Sequence, residues 1–331
     1  MSEVAERHPR VSIIIDNYNY ALYLEEAIRS AIEQTYSNIE VIVVDDGSTD
    51  GSKYIIDKYA NSGVVKAVYK ENGGQASAMN AGFRVCSGDF VVFLDSDDML
   101  KPEAVETAIN VWQPDFSKVQ WHLEGIDEKS HSMRIYYPPL KVRVNLESAP
   151  SLVCRWLEYG SPPQSGNMYS RAFLEEVFPL PEKLFRIGAD TPLILSAPFF
   201  GRVYDLPYVL GYYRRHSGKT TRSSVHEITE LISNYQNGRE YLKMKSLCPK
   251  SSRALSLTER RLLLALMVTN VGGSSYLKRV RAGLGGAFDS LTFPLFTNSS
   301  KRIASLIWFL LVGLLPNSMA KELAKRGLPK V

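Results

Sequence analysis

Cysteine is scarce in this sequence. Three occur in 331 residues, Cys86, Cys154 and Cys248, odd in number, far apart and outside any metal-ligand spacing. A cysteine metal site is therefore excluded, and a reducing, cytoplasmic setting is expected. The opening MSEVAERHPR has no apolar stretch of the kind a secretory signal requires, so export is not expected either. Low-complexity segments and internal repeats are missing. So is a general excess of one charge sign. The net charge is +4, and residues 301–331 hold six bases against the single acid Glu322, which leaves the preceding 300 residues near −1. A nucleic-acid binder spreads its bases over a folded face, which this body does not offer.

With 45% apolar residues the chain can bury a full core, as one large domain with an appendage or as two domains. Val11 to Ile15 is a β-branched run with the character of a strand buried on both faces. Apolar residues then recur at Leu24, Ala27, Ile28, Ala31 and Ile32, the spacing of an amphipathic helix. The alternation continues with strands predicted at 39–44, 64–69 and 90–94 and helices at 53–59, 74–86 and 102–112. This order predicts a doubly wound, mostly parallel sheet flanked by helices, with ligands outside the carboxyl ends of the strands. A mixed half follows, with a Pro-rich loop at 161–164, a helix near 190–200 and a β-type run at 203–213. From Val225 onward the reading is helical.

Acidic clusters stand at the predicted strand ends. Asp95, Asp97 and Asp98 can converge on a hard cation that offsets the charge of a diphosphate leaving group, or can cap the next helix. Asp45 and Asp46 can accept from a nucleoside, or belong to a polar turn with Gly47, Asp50 and Gly51. Tyr18, in Asn17-Tyr18-Asn19, can stack on a base or pack in the core. Asn72-Gly73-Gly74-Gln75 opens a helix whose small residues allow a close backbone approach, either to a ligand or to a neighbouring element. Asp190 is placed either to take a proton from an attacking hydroxyl or to cap the helix that Pro192 enters. His216, with Arg214 and Arg215, is a candidate for metal or phosphate contact, or a surface residue in a basic loop.

The blocks VSIIIDNYNY, QTYSNIEVIVVDDGSTDGS, KENGGQASAMNAGF, GDFVVFLDSDD, GADTPLIL and YYRRHSGKTTRS, in this order, resemble the family-2 glycosyltransferases. The resemblance is strong over about 10–115, moderate to about 225 and weak beyond. It implies a GT-A fold, a nucleotide diphosphate sugar donor, usually uridine-linked, a divalent Mn2+ or Mg2+, and transfer with inversion. It assigns Asp46 to the base, Asn17, Tyr18 and Asn19 to the nucleoside pocket, and Asp45, Gly74, Gln75, Asn80, Asp95 and Ser96 to the donor. Asp97, Asp95 and His216 become the metal ligands, with His216 over the donor phosphates, and Asp190 becomes the base. Three positions depart from the pattern: Asp16 stands where a proline is common, Met79 where an arginine is, and Ala189 where an acid precedes Asp190. Without a Gln-x-x-Arg-Trp sequence or long membrane helices, one sugar per binding event is expected. The implied organisation is a transferase domain over 1–225, with donor half 10–115 and acceptor half 116–225, and a helical region over 226–331. A module that binds a nucleotide sugar without catalysis is the rival reading.

Ile303 to Leu315 is an apolar run of 13 residues between Lys301-Arg302 and Pro316. As a helix it would extend about 20 Å, short of the roughly 30 Å hydrocarbon layer. It suits a peripheral helix at the inner face of a membrane, a buried terminal helix, or a dimer contact. A membrane location would favour a lipid-linked or envelope glycan as acceptor.

Overall fold

The computed structural model describes residues 7–140, 146–216, 225–248, 259–260, 262–264, 267, 276–292, 299–315, 319–320 and 323–324. The chain divides into two compact units, Met1–Leu140 with Ser161–Arg215, and Lys141–Gly160 with His216–Val331. The later boundary between the units falls between Arg215 and His216. The segment 141–160 also leaves the first unit to join the second.

In the first unit strands and helices alternate as β1 (Val11–Asn17), α1 (Ala21–Ile32), β2 (Ile39–Asp45), α2 (Ser52–Asn61), β3 (Lys66–Tyr69), α3 (Gln75–Val85) and β4 (Phe90–Asp95). Strands β3, β2, β1 and β4 lie side by side and parallel. Ile13, Ile14 and Ile15 of β1 are fully buried, which explains a β-branched run with no polar alternation. Each such side chain contributes about 1.5–3 kcal/mol relative to exposure. Helix α3 packs so closely that a Cβ on Gly82 would lie 2.5 Å from the Ile14 side chain. Asp50 accepts from the amides of Ala21 at 3.0 Å and Ser52 at 2.9 Å, so one carboxylate serves the starts of two helices.

The second half of the sheet is mixed, as its looser pattern predicts. Short β5 (Met99–Leu100) and helix α4 (Ala104–Val111) lead to β6 (Phe116–Ile126), which pairs with β7 (Ser132–Tyr137). After α5 (Ala149–Trp156) in the second unit, a 3-10 turn at Gln164–Gly166 enters β8 (Asn167–Ser170). Helices α6 (Arg171–Val177) and α7 (Asp190–Phe200) precede β9 (Arg202–Arg214). Strand β8 runs antiparallel between β4 and β6, whereas β9 is parallel to β6. The reversal brings the beginning of β8 to the same rim as the ends of β1, β2 and β4.

The second unit is helical where described, with α8 (Val225–Met244), α9 (Tyr276–Thr292) and α10 (Ser299–Leu314), the last covering the apolar run. Cys154 of α5 and Cys248 are joined in a disulfide that closes a separation of 94 residues, while Cys86 is free and buried. Spacing along the chain is silent about partners brought together by folding, and the argument for a reducing compartment falls.

Candidate functional site

Parallel register places Asp16 of β1 directly beside Asp95 of β4, and Asn17 beside Asp45 of β2. The rim is therefore acidic by construction. Gln164 Nε2 donates to Asp16 Oδ1 at 2.8 Å and to Asp95 Oδ1 at 2.7 Å, holding the two carboxylates together. Ser165 Oγ donates to Asp98 Oδ2 at 2.6 Å and accepts from the Asp95 amide at 3.1 Å. Ser96 Oγ bonds the Asp16 carbonyl at 2.7 Å. Asp98 is thus a buried brace of the loop, whereas Asp97 is half-buried.

Gln75, first residue of α3, bridges two parts of the rim. Its Nε2 reaches Asp95 Oδ1 at 3.3 Å, and its Oε1 accepts from the amides of Gly188 and Ala189, each at 3.0 Å. Those amides immediately precede Asp190. The structure therefore ties the Asp95 loop to the Asp190 loop through one side chain. Asp190 lies in the first turn of α7, with Ala189 in the cap position, so it is not the N-cap.

The electrostatics follow from crowding. Burial pushes Asp16 up to about 7, against hydrogen bonds from Gln164 and Gln75 and with a further push from Asp97. Burial, then Asp16, Asp98, Asp97 and Asp190, hold Asp95 well above the ordinary carboxylate range. Asp98 is raised by burial and by Asp97, opposed by Ser165 and Arg214. Asp190 is raised by burial, opposed by backbone amides at the helix start and by Lys118. Hard oxygen donors that disfavour one another's charge match what a divalent cation such as Mg2+ or Mn2+ selects. Among the described residues no three His, Cys, Asp or Glu side chains form a complete metal cage.

Several residues named from the sequence have other partners. Asp46 accepts from Lys70 Nζ at 2.5 Å, from the Gly73 amide at 2.9 Å and from the Gly74 amide at 2.7 Å, so both its oxygens shape the glycine loop. Gly74 has φ 89°, and a Cβ there would lie 2.7 Å from the Arg186 carbonyl oxygen, which accounts for glycine at this position. Asn17 Nδ2 donates to Asp45 Oδ1 and Ser48 Oγ, while Asn17 Oδ1 is buried without a hydrogen-bond partner. Asn19 fixes the turn after β2 by accepting from the Thr49 amide at 2.7 Å. Tyr18 is 46% exposed and does not pack in the core. Asn80 is directed to the segment before α7, bonding Leu180 through both its amide groups and Glu182 through Nδ2, which is a packing role. Met79 is fully buried, so no charge is presented from the position where an arginine is common.

Arg214 is buried, donates from Nε to the Asp97 carbonyl at 2.8 Å and pairs with Glu26 at 2.5 Å, so it braces the rim from within. His216 is the first residue of the second unit.

Lys118, Gln164 and Ser165 escape sequence reasoning. Lys118 is fully buried on β6 and its amine donates to Ser161 Oγ and Asn167 Oδ1, both at 2.8 Å. Burial holds its pKa well below the usual 10.5, with Asp205 and Asp190 opposing. Below 10.5 the unfolded chain binds a proton that the folded chain resists, so this residue's effect is to make stability rise with pH up to that value. The slope reaches about 1.4 kcal/mol per pH unit between the two pKa values. Lys118→Met should flatten that slope relative to wild type, as read from urea unfolding at several pH values from about 7.5 to 9.5. An unchanged slope would show that the amine stays charged when folded.

The model for glycosyl transferase family 2 matches residues 12–178. An uncharacterized glycosyltransferase of Nostoc sp. is 36% identical over 236 residues, covering 70% of this chain and 72% of that protein. Two Rickettsia relatives at 44% identity are matched over 41% of their own length. Among solved structures, S. aureus TarS 1–349 in complex with UDP superposes with TM-score 0.54 at 17% identity, covering 91% of this chain and 90% of that one. Mannosyltransferase PcManGT from Pyrobaculum calidifontis, in complex with GDP-Man and Mn2+, gives TM-score 0.54 at 19% identity, covering 96% and 84%. At these identities the two structures establish the fold alone, which is GT-A. With the family model spanning half the chain and the Nostoc protein related over most of its length, this chain belongs to the family 2 glycosyltransferases.

Proposed function

We propose that the protein moves one sugar from a nucleotide diphosphate sugar, uridine-linked, to an acceptor hydroxyl with inversion, in the synthesis of an envelope glycan or polysaccharide. The observation that carries this reading is the Gln75 bridge, which binds the carboxylate of the Asp95 loop and the backbone just before Asp190. The reading assigns leaving-group chemistry and acceptor chemistry to the two sides of that bridge. UDP in the TarS structure and GDP-Man with Mn2+ in PcManGT support a nucleotide-sugar donor and a divalent metal.

In this reading Asp97 and Asp95 would hold the cation, as hard oxygen donors suited to Mg2+ or Mn2+. When bound it supplies charge neutralisation for the departing diphosphate. His216 is assigned to the phosphates, and Asn17, Tyr18 and Asp45 to the nucleoside side, where Asn17 Oδ1 lacks a protein partner. Asp190 takes the proton of the acceptor hydroxyl as its oxygen bonds the anomeric carbon. The bond from that carbon to phosphate breaks on the opposite face, and its electron pair leaves with the nucleoside diphosphate.

A panel of labelled UDP- and GDP-sugars, incubated with Mn2+ or with EDTA, tests the proposal. Release of nucleoside diphosphate from one donor in Mn2+ and its loss in EDTA are expected. Tight donor binding with no turnover in any arm would identify a non-catalytic binding module instead.

A further inference from the structure

Helix α10 is apolar on its exposed side as well as on its buried one. Its inward side includes Ser305, whose hydroxyl pairs with Ser290 of α9 at 2.9 Å, together with buried Phe309 and Val312. Its outward side carries Ile303, Ile307, Leu311 and Leu314, exposed by 53%, 47%, 41% and 49%. Steps of four, four and three residues put these side chains in one stripe. A helix in water ordinarily keeps its outward face polar.

The stripe has little freedom to turn inward. A Cβ on Gly283 would lie 2.7 Å from the Phe309 carbonyl oxygen, and one on Gly286 would lie 2.2 Å from the Phe309 ring. The backbones of α9 and α10 thus approach closely in one register, and a rotated α10 would bring bulkier side chains into that contact.

Charge selects what covers the stripe. The sequence has no acid between Asp289 and Glu322, whereas Lys301 and Arg302 lie at the start of α10 and Lys321, Lys325, Arg326 and Lys330 follow it. A second copy would bring like charge against like charge, while anionic lipid headgroups attract it. Sixteen residues extend about 24 Å, less than the hydrocarbon layer, and among the described residues no helix is long and apolar enough to cross a membrane. We propose that α10 lies in the plane of an anionic bilayer, with Ile303, Ile307, Leu311 and Leu314 in the acyl boundary and Lys301 and Arg302 among the headgroups. The proposal is independent of the sugar-transfer reading, because its test uses no donor.

Co-sedimentation of the full chain with phosphatidylcholine vesicles, with and without phosphatidylglycerol, provides that test. Binding is expected only with phosphatidylglycerol, weakening as salt is raised. The double variant Ile307→Asp, Leu311→Asp should bind about 100-fold more weakly, with unchanged circular dichroism because both positions face solvent. Lys301→Ala with Arg302→Ala, which leaves the stripe intact, should weaken binding to phosphatidylglycerol vesicles and make what remains less sensitive to salt. Undiminished binding by the aspartate variant would overturn the proposal. So would a wild-type chain that ignores both vesicles but forms dimers that the aspartate variant splits into monomers.

Discussion

Replacing Asp190 by Asn is expected to lower kcat by about 10²–10⁴-fold, the range a positioned general base contributes, with donor affinity close to wild type. The substitution keeps the side chain's size at the start of α7 and removes only its capacity to take a proton. Burial matters to this role. An ordinary carboxylate is a weak base, and the desolvation that raises Asp190 strengthens it toward the pH at which it works. The amides of Gly188 and Ala189, held by Gln75, fix the backbone that aims it. Steady-state transfer rates beside donor titration calorimetry separate chemistry from binding. Turnover at the wild-type rate would move the base elsewhere, and a fall in thermal stability of matching size would reassign Asp190 to structure.

The second large effect is expected at Asp97. In Mn2+, Asp97→Ala should weaken donor binding by about 100-fold, corresponding to roughly 3 kcal/mol. In EDTA, wild type and variant should bind donor alike, because the lost contribution runs through the cation. That second arm distinguishes a ligand from a residue that merely shapes the loop. Asp98 provides the contrast: its oxygens are held by Ser165 and the Arg214 amide, so removing it should damage folding whether or not metal is present. Equal weakening of Asp97→Ala in both conditions would remove the metal assignment.

The parallel half of the sheet is readable from residues alone because its strands are buried on both faces. Ile13 to Ile15, Val41 to Val44 and Val91 to Leu94 show no polar alternation, and the acids that follow can only lie where the strands emerge. Harder to read are the groups that organise those acids. Gln164 meets Asp16 across 148 residues, and Arg214 meets Glu26 across 188. No local pattern encodes either pairing. The segment around Ser161 to Gln164 announces itself through its prolines as a loop, and that is correct, yet its chemistry depends on β8 running against β4. Lys118 is equally hidden, a charged residue type inside a strand where only the completed sheet supplies Ser161 and Asn167 as acceptors. The disulfide between Cys154 and Cys248 belongs to the same class. The apolar run at 303–315 marks a helix readily, but which side faces outward depends on the glycines of α9.

The antiparallel placement of β8 bears on where a substitution is felt. Chain leaving β1 and β4 and chain arriving at β8 share one edge, while residues 141–160 depart from the first unit and return just before Gln164. That excursion is anchored where it goes, because Cys154 is bonded to Cys248 and Trp156 is buried in the core of the second unit, so a substitution inside α5 is felt by the helical unit while the register of the acidic rim is set by the strands alone.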